Sequence, residues 1–178
     1  MRALSLFVTV WALVPLLATA KTRPDDDLRP RIQRLEDQAA LKNLVDTFSN
    51  LADVKDIDRQ VLLFTEDAIV ESRTGDAPGN PLKGRKQIGD TFRSFLAGFE
   101  TVYHLNGQQT VSIQGDTATG TAYCLVVLIG RQNNTTSKTT MGVRYADEYV
   151  RQNGSWLISK RVSNFMWRET TPMASGGR

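Results

Sequence analysis

The chain is short of the residues that most often carry chemistry. Among its 178 residues there is one cysteine, Cys124, and one histidine, His104. A single thiol forms no internal disulfide and leaves no cysteine pair for zinc. Any step that needs an imidazole at neutral pH therefore falls on His104. An excess of one charge sign is also missing. Lys and Arg number 22 against 19 Asp and Glu, a formal +3 with pI about 9.2, and the signs are mixed along the chain. That balance argues against a nucleic-acid-binding surface. Long apolar runs are absent beyond the first twenty residues. With 40% hydrophobic and 23% charged residues the composition is that of a globular chain, which excludes disordered, collagen-like and multi-span membrane classes. The length suits one domain, at roughly 100–200 residues each.

What is present begins with a leader. Arg2 gives a short positive start, residues 4–17 are apolar with one break at Pro15, and Ala18-Thr19-Ala20 has the small-x-small form of a signal-peptidase site. The run is short of the ~20 apolar residues that span a bilayer, and Lys21-Thr22-Arg23 follows at once. Residues 1–20 are thus expected to be a cleaved secretory signal, with an uncleaved anchor as the alternative. The mature chain would then be secreted or periplasmic, without stable membrane association. Asn133, Asn134 and Asn153 each begin an Asn-x-Ser/Thr sequon.

Residues 21–29 read as a charged, mobile leader and residues 30–168 as the folded domain, followed by a disordered tail at 169–178. From Pro30 the pattern is helical: Ile32, Leu35, Leu41, Leu44, Val45, Phe48, Leu51 and Ala52 recur at three- and four-residue spacings. A shorter helix is predicted over 58–64, capped by Asp56 or Asp58. A brief strand at 68–71 and a Gly/Pro-rich loop at 73–83 follow. Ile88, Phe92, Phe95, Leu96 and Phe99 make one apolar stripe, the third helix. Beyond Phe99 the period becomes two, predicting strands near 103–113, 117–129, 139–151 and 156–167. Gln114-Gly115-Asp116 and Gln152-Asn153-Gly154 are tight hairpin turns, and 131–138 a longer polar hairpin loop. Helices on one side of an antiparallel sheet make an α+β fold. A strongly curved sheet wrapped over a long helix encloses a cavity.

Asp53 ends the first helical stripe, His104 starts a strand, and Arg161 sits in the last strand between Ile158 and Val162. A carboxylate beside an imidazole raises its basicity and fixes its tautomer, and a guanidinium steadies a developing anion. Each also has a plainer reading. Asp53 can be a helix-end carboxylate, His104 a satisfied structural residue, and Arg161 a solvated charge or a cross-strand partner of Glu148 or Asp147. Cys124, inside the apolar run 123–129, reads as an inert buried thiol. Asp147 and Glu148 are adjacent on a strand and face opposite sides, so they do not converge on a metal.

The ordered set of motifs resembles a known family. It comprises Leu63-Phe64-Thr65-Glu66-Asp67-Ala68, Gly84 before the third helix, His104-Leu105-Asn106, Gly115-Asp116-Thr117-Ala118, Tyr145-Ala146-Asp147-Glu148-Tyr149-Val150-Arg151, Asn153-Gly154-Ser155-Trp156-Leu157-Ile158, and Arg161. The set is similar to the SnoaL-like family of the nuclear-transport-factor-2-like superfamily, and within it to the lindane dehydrochlorinase and scytalone dehydratase branch. The resemblance implies a cone-shaped α+β barrel in which three helices pack on a curved, mostly antiparallel sheet. It implies an Asp–His general base made of Asp53 and His104, with Arg161 assisting a leaving group and no metal or cofactor. It further implies a cavity lined by Phe95, Phe99, Cys124, Val126, Leu128, Met141 and Val143, a small apolar ligand, and a homodimer or homotrimer. The expected activity is a lyase or isomerase reaction; the alternative is a binding or assembly module on the same fold. The second histidine that scytalone dehydratase uses has no counterpart here, and the tyrosines that activate the substrate carbonyl there have no secure match.

Overall fold

Leu41, Leu44, Val45, Phe48, Leu51 and Ala52 bury one face of the first helix, which holds the remaining elements around it. The structure is a computed structural model that describes residues 24–75, 79–132 and 135–173. Helix α1 (Pro24–Asp53) is followed by α2 (Ile57–Gln60), a 3-10 turn (Val61–Leu63), strand β1 (Phe64–Thr74), the two-residue β2 (Leu82–Lys83) and helix α3 (Gly84–Ala97). Four long strands complete the chain: β3 (Thr101–Gln114), β4 (Thr117–Gln132), β5 (Thr135–Gln152) and β6 (Ser155–Pro172).

The six strands form one sheet in the order β2-β1-β6-β5-β4-β3. Only the β1–β6 pair is parallel; the others are antiparallel. The fold is therefore α+β, three helices on a curved, mostly antiparallel sheet. One-residue register shifts occur in β3 between Asn106 and Gln109, and in the β5–β6 pair at Gly142/Val143 and Glu148/Tyr149. Such bulges bend a strand and increase its twist. Alternate residues of β4 and β5, from Cys124, Val126 and Leu128 to Met141, Val143 and Tyr145, face the helices and are buried.

Several boundaries differ from the sequence reading. The helix begins at Pro24, six residues before Pro30, so most of the expected mobile leader is helical. Proline suits a first helical position, where its missing N–H would be unpaired anyway. Ile32 and Leu35, read as part of the buried stripe, are 51% and 65% exposed, since the burial of α1 begins only at Asp37. The second helix shortens to Ile57–Gln60, capped by Asp56, whose carboxylate accepts from the Arg59 N–H at 3.1 Å. The strand expected at 68–71 runs over Phe64–Thr74, and part of the expected loop at 73–83 pairs as β2. Instead of a loop over 131–138, β4 and β5 continue to Gln132 and from Thr135. The last strand reaches Pro172, so the expected tail at 169–178 begins as paired strand. The two-residue turns are where they were expected; Asn153 and Gly154 have φ of 51° and 79°, the paired left-handed residues of a type I′ hairpin. Residues 1–20, read as a signal, and the sequons at Asn133 and Asn134 lie outside the described residues.

Candidate active site

Asp53 is the last residue of α1, and its place is set by how the helix stops. Lys55 takes φ of 57°, the Asp56 N–H donates to the Leu51 carbonyl and the Lys55 N–H to the Ala52 carbonyl. This is a Schellman ending, here with lysine where glycine is usual. The Lys55 ammonium in turn donates to the Phe99 carbonyl. That bond ties the turn after Asp53 to the segment that leads into β3.

On β3, His104 meets Asp53. Its Nδ1 lies 2.6 Å from Asp53 Oδ1, and its backbone N–H donates to Oδ2 at 3.2 Å. A carboxylate at a helix C-terminus faces the negative end of the helix dipole, and two N–H donors from one residue offset this. The contact assigns the proton to Nδ1, leaving Nε2 as the free base. The His104 side chain is only 9% exposed, and it lines the interior cavity.

Two further residues of β3 fix this geometry. Asn106 donates to the Val45 carbonyl and to Asp46 while accepting from Ser49 at 3.0 Å. Gln109 donates to the Leu41 carbonyl. Residues 104, 106 and 109 of the strand thus meet residues 53, 45–49 and 41 of the helix. Twelve helical residues rise about 18 Å and five strand residues about 17 Å, so the two elements stay in step. Sequence reasoning quoted Asn106 only within a motif and missed Ser49 and Gln109; a short polar residue on an otherwise apolar helix stripe was the available signal.

The cavity has a volume of about 580 Å3. Of the residues expected to line it, Phe95, Val126, Leu128, Met141 and Val143 do so. Phe99 does not: its ring packs edge-on to Phe95 at a centroid distance of 5.2 Å and against the backbone of Gly130. Cys124 is buried but also absent from the lining, and burial pushes its thiol up to about 11, so it is protonated at neutral pH. Phe48, Gln60, Ser72, Thr74, Phe92, Tyr145, Ser163, Phe165 and Arg168 line the cavity without having been anticipated.

Arg161, expected by resemblance to assist a leaving group and otherwise read as a solvated charge or a cross-strand partner of Glu148 or Asp147, is buried at 0% exposure and is the cross-strand partner of Asp147. Its Nε and Nη2 donate to the two oxygens of Asp147 at 2.8 and 2.7 Å, and Tyr149 Oη donates to the same carboxylate. The guanidinium carbon lies 4.3 and 4.2 Å from the ring centroids of Phe48 and Tyr145, which themselves meet edge to face at 6.3 Å. It is not in the cavity lining but one layer behind it. Burial opposes its charge, and Asp147 more than offsets this and holds it protonated.

The imidazole differs from expectation in the same electrostatic terms. Burial pulls its pKa below 6.5; the hydrogen bond and charge of Asp53 push it up; the charge of Arg161 pushes it down again, and the net shift is downward. A neutral imidazole at neutral pH follows. Among the described residues no group of three or more His, Cys, Asp or Glu side chains is gathered that could hold a metal, and no helix is long and apolar enough to cross a membrane.

A family model described as a SnoaL-like domain matches residues 33–162. A hexachlorocyclohexane dehydrochlorinase from Novosphingobium barchaimii LL02 shares the fold with TM-score 0.66 at 20% identity, over 82% of this chain and 95% of that one. A candidate scytalone dehydratase from Novosphingobium aromaticivorans DSM 12444 does so with TM-score 0.66 at 18% identity, over 79% and 90%. An uncharacterized protein of Mycobacterium tuberculosis is 25% identical over 134 residues, 74% of this chain and 86% of its own length.

Proposed function

This chain belongs to the SnoaL-like family, and on that premise we propose that it is a cofactor-independent lyase or isomerase. The fold is shared with dehydratase-type and dehydrochlorinase proteins. The substrate is a compact, largely apolar molecule, cyclic or otherwise, with an acidic C–H bond. His104 Nε2 takes the proton, and Asp53 holds the imidazole in its tautomer and stabilises the imidazolium that forms. The observation that carries this reading is the 2.6 Å contact between His104 and Asp53 beside a largely apolar cavity. Arg161 acts from behind Phe48 and Tyr145, supplying positive potential to that end of the cavity, where an anion develops.

His104→Ala tests the reading. Turnover is expected to fall by about 100- to 10,000-fold, the usual contribution of a positioned general base, with folding and ligand binding retained. If a substrate is found and the variant turns it over at the parent rate, the cavity is a binding site or is worked by other residues.

Two accompanying expectations remain part of the proposal. Export would leave a mature N-terminus near Lys21, which N-terminal sequencing of secreted protein reads directly. A homodimer or homotrimer would cover the outer face of the sheet, where Tyr103, Leu105, Tyr123 and Trp167 are exposed; sedimentation gives the copy number.

A further inference from the structure

The cavity has an electrical polarity that proton abstraction does not use. Its described lining includes no Asp, Glu or Lys, and its one permanently charged side chain is Arg168. Among the described residues Arg168 has no hydrogen-bond or ion-pair partner, unlike Arg161, Arg151, Arg73 and Arg85. It is exposed, whereas His104, in the same lining, is nearly buried.

The two residues lie on one row of the sheet. His104 of β3 is directly opposite Val126 of β4, Val126 opposite Met141 of β5, and Met141 opposite Arg168 of β6. All four line the same cavity. Directly paired residues share a face, so the row is an imidazole, two apolar side chains and a guanidinium in sequence. Strands lie ~4.8 Å apart, which makes the row about 14 Å long at the backbone and less across the concave side. Ser72 and Thr74 of β1, the strand next to β6, add hydroxyl groups on the Arg168 side.

We propose that the ligand is an amphipathic organic anion, with a carboxylate held by Arg168, an apolar body lying over Val126 and Met141, and its reacting end at His104. This rests on the reading above for which end reacts. A guanidinium presents paired N–H donors that match a carboxylate in a two-point contact. A neutral apolar ligand would leave Arg168 without a role, and a cationic ligand would be repelled by it.

The test needs no known substrate. Phenylalkanoic acids of graded chain length, and the corresponding primary alcohols, are titrated calorimetrically into the purified chain at neutral pH and low salt. The best acid is expected to bind about tenfold tighter than its alcohol, the gap shrinking as salt is added. Arg168→Gln is expected to close the gap to about twofold or less. His104→Ala, at the other end of the row, is expected to keep it. Equal binding of acid and alcohol, binding of no acid, or a gap that survives Arg168→Gln overturns the proposal. The gap is read from binding alone, so the anion site stands or falls whatever the turnover test of His104→Ala returns for the base.

Discussion

Two aspartates in this molecule each hold a nitrogen base, and the pairs are built for opposite ends. Asp53 takes one nitrogen of His104 and leaves the other free beside a cavity. Asp147 takes two of the three guanidinium nitrogens of Arg161, and aromatic rings close over the group. The first pair joins a helix end to a strand; the second joins two neighbouring strands, Asp147 being directly opposite Arg161. A partner that leaves a reactive atom exposed makes a site. A partner that consumes the donors makes a fixed charge. The third Arg161 nitrogen, Nη1, is buried without a hydrogen-bond partner, so the second pair is costly as well as rigid.

Breaking the second pair should have the larger effect on the fold. Asp147→Asn leaves a buried guanidinium uncompensated and is expected to cost about 3–5 kcal/mol of stability, read as a lowered urea midpoint or as outright unfolding by circular dichroism. The double change Asp147→Leu with Arg161→Met should recover part of that loss. A parental midpoint in the single variant would mean that the pair is not holding the core.

Asp53→Asn should act on the imidazole rather than on the fold. His104 is the one histidine of the chain, so its ring resonances in a proton spectrum are unambiguous. In the parent it should titrate below 6.5, because burial outweighs Asp53. In Asp53→Asn it should titrate lower still, since the upward push is removed. A native value below the unfolded one means that the unfolded chain binds more protons between the two, so stability is expected to fall as pH drops through that window. A midpoint that rises in the variant would contradict the pairing. The smallest effect is expected next to the dyad, at Cys124. With its thiol at about 11 and only 4% exposed, it should resist alkylation at neutral pH and react fully in urea. Rapid labelling of the native chain would show a reactive thiol instead.

The elements were legible because they rest on local signals, whereas the first pair, 51 residues apart in the chain, was expected from the family resemblance. Helical stripes, period-two strands and glycine turns give the fold, and the one imidazole singles out His104. What was not legible depended on pairing across the sheet. Asp147 was among the cross-strand partners read for Arg161, but nothing local signals that the pair is fully buried. Arg168 reads as an ordinary charge near a chain end until the ladder puts it beside Met141. Phe99 keeps the spacing of the α3 stripe, yet α3 ends at Ala97 and the ring turns toward Gly130. The lengths of β1, β4 and β5 were underestimated because polar and threonine-rich stretches pair as well as apolar ones when a neighbouring strand is in reach.

The bulge in β3 determines more than curvature. Counting back from the turn at Gly115, the ladder pairs Ile113 with Ala118, Val111 with Gly120 and Gln109 with Ala122, every second residue facing inward. Continued without interruption, that count would set Leu105 opposite Val126 and turn His104 to the outside. One surplus residue between Asn106 and Gln109 changes odd to even, and His104 faces the cavity instead. In β6 two single-residue shifts restore the parity but advance the register by two, moving the partner of Met141 from position 166 to Arg168. The identity of the inward-facing groups is thus stored in the register, as a parity in β3 and as an offset of two in β6. A lineage could exchange the imidazole for a leucine by deleting a neighbour, without altering the codon for either.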